Sequence, residues 1–545
     1  MNAFKRLLVA FVCLISMSDA IAQERQITGT ILSEDENRPL PGVTVTNRQT
    51  NRRTQTNSQG IYTIAAQPGH QLVFTFVGYA SRTITVGDQT NISFRLEQEE
   101  TQLENVVVTA LGIGKSKRSL GYAANDVKGA DLANTQRDNF INGLAGRVPG
   151  VTISNTNGLP GSSTSIQLRG INSISGSNQP LFVIDGLPVN NQTFLANNMI
   201  TQTENRTVDF SNRISDLNPE DIESVTILKG PEAAALYGID AANGAVVITT
   251  KKGKVGKGTL SYTFNYGIED VGRLPELPRV YQRGFNGVLN ENTFSRFGPR
   301  YEEGTQFYDN INNFFQNGIV NKHNISFDGG AGGYTYRLSA GYSTREGVVP
   351  NTEYNRLNIS LTGTAQIFSK LKAETNLQYI NTKNKKVSKG VNSFYLGLLS
   401  YPADEDMTDY LLPGGTRKRL TTGSEIENPY FDVTRNQLND RGNRVISNVG
   451  LVYDPLNWLS FTGRLGIDAA ENTYFVLYHP ESNRASAVNG TINQANQTNR
   501  ILTGQYYVTG KGNFINNKLK TTLRVGNAIY DFDDNVVSVY GENFL

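Results

Sequence analysis

Of the 545 residues, one is cysteine, one tryptophan and three histidine. The cysteine, Cys13, lies in an N-terminal segment with the marks of a secretory leader, so the mature chain is expected to hold no thiol and no disulfide. Its stability must then come from packing and sheet pairing. His70, His323 and His479 stand at no metal-ligand spacing, and no G-x-S-x-G, H-E-x-x-H or cysteine motif is present. Neighbouring carboxylates such as Glu302–Glu303 and Asp533–Asp534 would point apart on a strand. A phosphate loop at Gly114-Lys115-Ser116 is excluded because the first glycine of that pattern would fall on Thr109. No catalytic set, metal or cofactor is expected.

Charge of one sign is also missing. The formal net charge is +2, which offers no electrostatic case for nucleic acid. Beyond the N-terminus there is no apolar run of ~18 residues, which excludes a transmembrane helix. A β-barrel stays open, because its strands alternate and dilute the hydropathy signal.

Residues 1–22 read as a secretory leader. Lys5 and Arg6 form its positive start, Leu7 to Ile15 its apolar stretch, and Ala20-Ile21-Ala22 a cleavage site that makes Gln23 the first mature residue. The alternative, a lipidated Cys13, is disfavoured because Ala10-Phe11-Val12 matches a lipobox poorly. Residues 23–97 hold short β-prone runs with turn signals every ~8–12 residues, the pattern of a small β-sandwich. A polar linker with an apolar insert follows over 98–114. In it, Val106, Val107 and Val108 are β-branched and preset for extension. With polar flanks and no partner strand expected nearby, they suit strand addition to another protein, the alternative being an internal strand.

The stretch from Asp221 to Gly253 organises the middle of the chain. Ile222, Val225 and Ile227 make a strand, and Lys229-Gly230-Pro231 ends it. Pro231 opens a short helix through Leu236, and Gly238 closes it. Ala245 to Thr250 is an unbroken β-prone run, the mark of a strand buried on both faces. Upstream are three further blocks: Leu144-Ala145-Gly146-Arg147-Val148-Pro149-Gly150-Val151, Ile166 to Ile174 around Arg169-Gly170, and Gln179 to Val189 around Asp185-Gly186. Phe140 to Gly146 reads as a short helix with Leu144 and Ala145 inward. Asn190 to Arg213 reads as a long polar excursion, a candidate for ligand contact or simply a mobile loop.

From 256 the texture changes to alternation. Tyr334, Tyr336, Leu338, Ala340 and Tyr342 alternate with Thr335, Arg337, Ser339, Gly341 and Ser343, and similar runs occur near 260, 359, 375 and 463. One apolar and one polar face at a period of two fit lipid outside and a wet lumen inside, although a soluble sandwich face also alternates. Arg337, Glu374 and Arg464 stand in mid-strand, consistent with a polar lumen. Turns are expected at 329–333, Ser369-Lys370, Pro455-Leu456-Asn457 and Asn516-Asn517. Long loops are expected over 274–321, 384–443 and 471–500, with aromatic residues (Tyr281, Phe285, Phe294, Phe297, Tyr401, Tyr430, Phe431) that meet a ligand or pack their own loop. About nine strands follow Lys252, whereas a plugged lumen needs about twenty-two. The expectation is therefore the N-terminal half of a larger protein or a truncated gene.

Taken together, the blocks resemble the plug signature of TonB-dependent outer-membrane transporters of the SusC/RagA type. The resemblance implies a mainly β protein. Residues 23–97 would be a carboxypeptidase-regulatory-like, transthyretin-like sandwich in the periplasm, acting as an adaptor or as a stability module. Residues 98–114 would hold a TonB box, 115–255 an α/β plug, and 256–545 the first part of an outer-membrane β-barrel. It implies that Glu104, Asn105, Val106, Val107, Val108, Thr109 and Ala110 meet TonB by strand addition. The signature positions are Arg169, Gly170, Asp185, Gly186, Lys229, Gly230, Tyr237, Gly238, Asn243 and Gly244, with Asp185 and Arg169 in polar networks that hold the plug. It further implies import of an oligosaccharide or peptide, with a SusD-like lipoprotein lid, membrane lipid and the ligand as partners. The alternative is an outer-membrane binding or adhesion protein that does not transport.

Overall fold

A computed structural model describes residues 24–34, 38–76, 79–97, 106–109, 113–116, 124–174, 176–194, 208–390, 393–422, 425–484, 489–514 and 519–544. The leader, Glu104, Asn105, Ala110 and the Asn516-Asn517 turn lie outside these. The chain divides between Val106 and Val107 into two compact units.

In the first unit, β1 (Arg25–Ser33), β2 (Thr44–Asn47), β3 (Arg53–Gln55), β4 (Ile61–Ala66), β5 (Gln71–Phe76), β6 (Tyr79–Thr85) and β7 (Phe94–Leu96) form two sheets, ordered β4-β1-β7 and β3-β2-β5-β6. Their alternate residues Ile27, Ile31, Val45, Tyr62, Ile64, Leu72 and Phe74 share one core. Gly29 is required there, since a Cβ would sit 1.9 Å from the Ile92 carbonyl oxygen. Strand β6 was not read from the sequence, because Arg82 and its polar neighbours leave only Ile84 as an apolar marker.

Next come β8 (Val106–Thr109) and β9 (Ile113–Ser116), which pair as a two-stranded sheet. This corrects the expectation of no partner strand nearby. In a two-stranded sheet β8 still has a second edge without a partner among the described residues.

The plug region is built on β10 (Ala124–Lys128), α1 (Gly129–Ala133), β11 (Val151–Asn155), β12 (Thr164–Leu168), β13 (Leu181–Ile184), β14 (Leu187–Val189), β15 (Ile222–Leu228), α2 (Pro231–Tyr237) and β16 (Ala245–Thr250). Five strands make one sheet in the order β10-β15-β16-β13-β14, with β13 parallel to β16 and the other neighbours antiparallel. Strand β16 is central and buried on both faces, as its unbroken apolar run predicts. Val246 and Ile248 join one core with Phe140, Ile166, Val225 and Ile227. Ala245 and Val247 join another with Val183, Leu228 and Tyr237. Residues Phe140–Leu144 form a 3₁₀ turn rather than an α-helix. Leu144 points inward as expected, but Ala145 is exposed, and Phe140 and Ile141 fill the core instead.

The last region is a wall of long antiparallel strands: β17 (Gly256–Glu269), the small pair β18 (Gly284–Phe285) and β19 (Val288–Leu289), then α3 (Asn310–Phe314), β20 (Gly318–Ala331), β21 (Tyr334–Glu346), β22 (Glu353–Phe368), β23 (Leu371–Lys386), α4 (Phe394–Ser400), α5 (Pro429–Arg435), β24 (Gln437–Leu456), β25 (Leu459–Tyr478), β26 (Thr491–Phe514) and β27 (Leu519–Glu542). Nine of these form one sheet, β17-β20-β21-β22-β23-β24-β25-β26-β27. Alternation is as read: Leu338, Tyr342, Leu361, Leu377, Val449 and Leu465 are exposed, while Ser339, Ser343, Thr362, Asn376 and Gln378 are buried against the plug. The turn after β20 narrows to Gly332-Gly333, whose φ values of +46° and +109° only glycine adopts without strain. The turn after β24 falls at Asn457-Trp458.

The third long loop is shorter than expected. Strands β25 and β26 reach to Tyr478 and start at Thr491, so most of 471–500 is strand. Outward Gln494, Asn496, Thr498 and Arg500 alternate with buried Asn493, Gln497 and Asn499. Both faces are polar there, so period-two hydropathy gives no signal. The other long connections pack on their own core of Ile311, Phe314, Val387, Phe394, Leu398, Tyr401 and Val433. Tyr401 and Phe431 are buried in the loops, whereas Tyr281, Phe285 and Phe297 are exposed.

Candidate functional site

The seam between the plug and the inner face of the wall gathers most of the buried charge. At its centre is Arg444 on β24. It grips Asp468 of β25 with two hydrogen bonds of 2.7 Å. Its remaining donors reach the plug, at the carbonyl oxygens of Arg213 (2.7 Å) and Asn190 (3.0 Å). The Asn190 N–H donates back to Asp468 at 2.9 Å. Asp216 of the plug lies 3.7 Å from both Arg213 and Arg444. All these charged side chains are at most 5 % exposed, so each depends on its partners for its charge to be tolerated.

Around this centre the pattern repeats. Arg356 of β22 donates to the Ser215 and Asp138 carbonyls. Asp221, which immediately precedes β15, meets Arg337 at 3.2 Å and the Ser339 hydroxyl at 2.6 Å, both on β21. Asp138 is paired with Lys322 of β20 (3.0 Å) and Arg345 of β21 (2.9 Å). Lys386 of β23 donates to the Asp209 and Gly161 carbonyls and pairs with Asp440. Apolar contact across the seam is narrower: Ile380 and Ile446 of the wall join the plug core, and Phe194 stacks on Tyr474 at 3.9 Å with Phe210 beside them.

The signature residues separate into two groups. Asp185-Gly186 forms a two-residue turn between β13 and β14, with φ of +48° and +89°, as an Asp-Gly hairpin requires. The Asp185 carboxylate accepts from the Thr250 N–H (3.0 Å) and hydroxyl (2.6 Å) and from Asn376 on β23, and Gln505 of β26 donates to the Gly186 carbonyl. This turn therefore touches the wall. The other residues shape the plug itself. Arg169-Gly170 is an exposed turn with φ of +61° and +109°; Arg169 stays exposed and is not part of the buried seam, contrary to expectation. Lys229 donates to the Pro149 carbonyl, and partial burial together with Arg169 holds its ammonium below the usual value. Gly230 precedes α2, Tyr237 is its last residue and packs into the core with Val183 and Leu228, and Gly238 ends it with φ +82°. Asn243 donates to the Ser177 carbonyl. At Gly244, φ is +94° and a Cβ would lie 2.6 Å from the Leu228 carbonyl oxygen.

Of the three mid-strand charges read from the sequence, Arg337 meets Asp221, Glu374 meets Lys252 at 3.1 Å, and Arg464 lines the cavity beside Asp185. The excursion 190–213 is pinned at both described ends rather than loose: Phe194, Phe210, Asn212 and Arg213 are buried. Leu195, Met199 and Ile200 lie outside the described residues. Sequence reasoning missed Arg213, Asp216, Arg444 and Asp468. The available signal was the Arg213-x-x-Asp216 spacing ahead of the Asn218-Pro219 turn start. Among the described residues no group of His, Cys, Asp or Glu is placed to hold a metal.

The family model TonB-dependent Receptor Plug Domain matches residues 116–245, and CarboxypepD_reg-like domain matches residues 27–108. The chain is 27% identical over 507 residues to TonB-dependent receptor SusC of Bacteroides thetaiotaomicron, covering 91% of this chain and 47% of that one. It is 32% identical over 374 residues to TonB-dependent receptor P26 of Formosa agariphila, covering 67% and 35%. Among solved structures, the RagAB peptide importer in its open-open state aligns with a TM-score of 0.62 at 21% identity, over 80% of this chain and 50% of that chain. A plug domain seated against long antiparallel barrel strands defines the class as TonB-dependent receptor. Within it, the chain belongs to the SusC/RagA type. It spans about half the length of SusC and of the RagAB chain and about a third of P26, which are named as receptors and as a peptide importer.

Proposed function

We propose that the protein of which this chain forms part imports a nutrient across the outer membrane by a TonB-driven motion of the plug. The observation that carries this is the seam. A plug meant only to seal would be seated by apolar packing. This one is seated largely by ion pairs and hydrogen bonds, which water can replace as the plug moves. The first unit then lies in the periplasm, and the long connections face outward. TonB adds a strand to the Glu104–Ala110 segment, within which β8 is extended and has one edge without a partner among the described residues. An oligosaccharide or a peptide is the substrate class, and a SusD-like lipoprotein is the lid. Support for this comes from the likeness to SusC and to a structure named as a peptide importer.

Replacing Val107 with Pro removes a backbone donor and blocks strand pairing. Uptake is expected to fail while surface binding of the ligand survives. Unchanged uptake would refute the coupling. Equal activity in cells with and without TonB would favour the non-transporting binding or adhesion protein.

A further inference from the structure

Two cavities lined mainly by polar residues lie in the seam, and the short stretch Gln136–Asp138 borders both. The larger, about 200 Å³, is bounded by Asp138, Asn139, Asn142, Ser215, Arg345 and Tyr354. The smaller, about 40 Å³, is bounded by Asn218, Lys322, Asn324, Ser343 and Asn358. Gln136 and Arg137 line both. Three of the residues lining the larger cavity carry a buried polar atom without a protein partner among the described residues: Tyr354 Oη, Asn139 Nδ2 and Asn142 Oδ1. Buried groups of this kind persist where water or a hydrophilic solute completes their hydrogen bonds.

The bordering stretch is held by a few strong contacts. Asp138 pairs with Lys322 at 3.0 Å and Arg345 at 2.9 Å, Lys322 also donates to the Gln136 carbonyl, and Arg356 donates to the Asp138 carbonyl at 2.9 Å. Gln136 is held at φ +53°, a conformation that non-glycine residues adopt at a cost. Upstream of it, the described residues of the plug region form α1 and β10, and β10 is an edge strand of the plug sheet. These are the plug elements nearest in sequence to the TonB-binding segment.

We propose that Gln136–Asp138 is a gate latched to β20, β21 and β22 through Asp138, and that withdrawing it joins the two cavities into a polar passage for a hydrophilic solute. This rests on the import reading above. A pull on the leading segment reaches β10 and α1 first and meets the Asp138 latch before any other buried ion pair to the wall. The amide and hydroxyl lining then offers hydrogen bonds to a solute on its way through.

Residues 23–545 hold no cysteine, so Asn142→Cys adds one thiol to this stretch, at the larger cavity, and its labelling is read against the protein without the substitution. Cells producing this variant are given a membrane-impermeant maleimide together with a supply of maltooligosaccharides and tryptic casein peptides, with and without TonB. Uptake and labelling are read in the same cells. Labelling is expected to require TonB. Adding Asp138→Asn should remove that requirement and speed TonB-independent labelling by about tenfold or more, the factor that ~1.4 kcal/mol of lost latch energy corresponds to. Asp138→Glu should restore the requirement. Lys322→Gln, which leaves Arg345 in place, is the milder latch variant and should give an intermediate rate if Asp138→Asn fails to reach the membrane. TonB-dependent uptake with labelling no faster than in cells lacking TonB would overturn the gate and leave the import reading intact. Uptake indifferent to TonB would overturn both.

Discussion

The plug meets its surroundings in two different ways. Inside the plug, Phe140, Ile166, Val225, Ile227, Val246 and Ile248 pack with almost no exposure. Between plug and wall, the contacts are mainly Asp221 with Arg337, Asp138 with Lys322 and Arg345, and Arg444 with plug carbonyls. The apolar core resists opening because its side chains have no better place to go in water. The polar seam resists opening mostly through the penalty of breaking it one partner at a time; once water enters, its groups are satisfied again. One unit can thus be firmly folded and yet releasable from its seat.

The comparison can be broken from either side. The largest effect is expected from Arg444→Ala, which leaves Asp468 uncompensated in the seam, removes one of the two cations 3.7 Å from Asp216, and strips a donor from each of two plug carbonyls. Loss of ~3–5 kcal/mol is expected for breaking a buried pair in this way. Urea titration of the membrane-extracted protein, followed by protease access to the plug, should show the plug loosening from the wall. A somewhat smaller loss, ~2–5 kcal/mol, is expected for Ile248→Ala in the central plug strand. Its signature differs: hydrogen exchange should accelerate across β15 and β16, whereas the seam variant should leave exchange in that sheet nearly unchanged.

Much of this architecture is legible in the sequence. The run Ala245–Thr250 announces a strand buried on both faces, Pro231 and Gly238 bracket α2, and period-two alternation assigns the inner and outer faces of β21, β22, β23 and β25. The Asp185-Gly186 hairpin was not read from the sequence, although Asp-Gly between two β-prone runs is a hairpin signal, and its wall contact follows from where the turn is placed. The seam is much less legible. Arg444 and Asp468 are mid-strand charges that look the same whether they face water or a plug. Their plug partners stand more than 200 positions away, as the separations of 231 and 254 for the Arg444 contacts illustrate. Arg169 and Asp185 carry equal weight in the signature, yet one stays at an exposed turn and the other reaches the wall, a distinction made by tertiary placement alone. Where both faces of a strand are polar, as in 491–500, alternation is silent and strand is mistaken for loop.

The measurement that bears most directly on a releasable polar seam is transport by the variant Asp221→Leu, Arg337→Met, Ser339→Ala, in which the Ser339 hydroxyl is removed together with its acceptor. Replacing both partners of a buried pair by apolar residues of similar size leaves stability nearly unchanged, within ~1 kcal/mol, or raises it. The plug should therefore stay seated and resist protease as before. With an apolar contact that water cannot replace, TonB-dependent uptake should fall well below that of the unmodified protein; uptake at the unmodified rate would contradict the account.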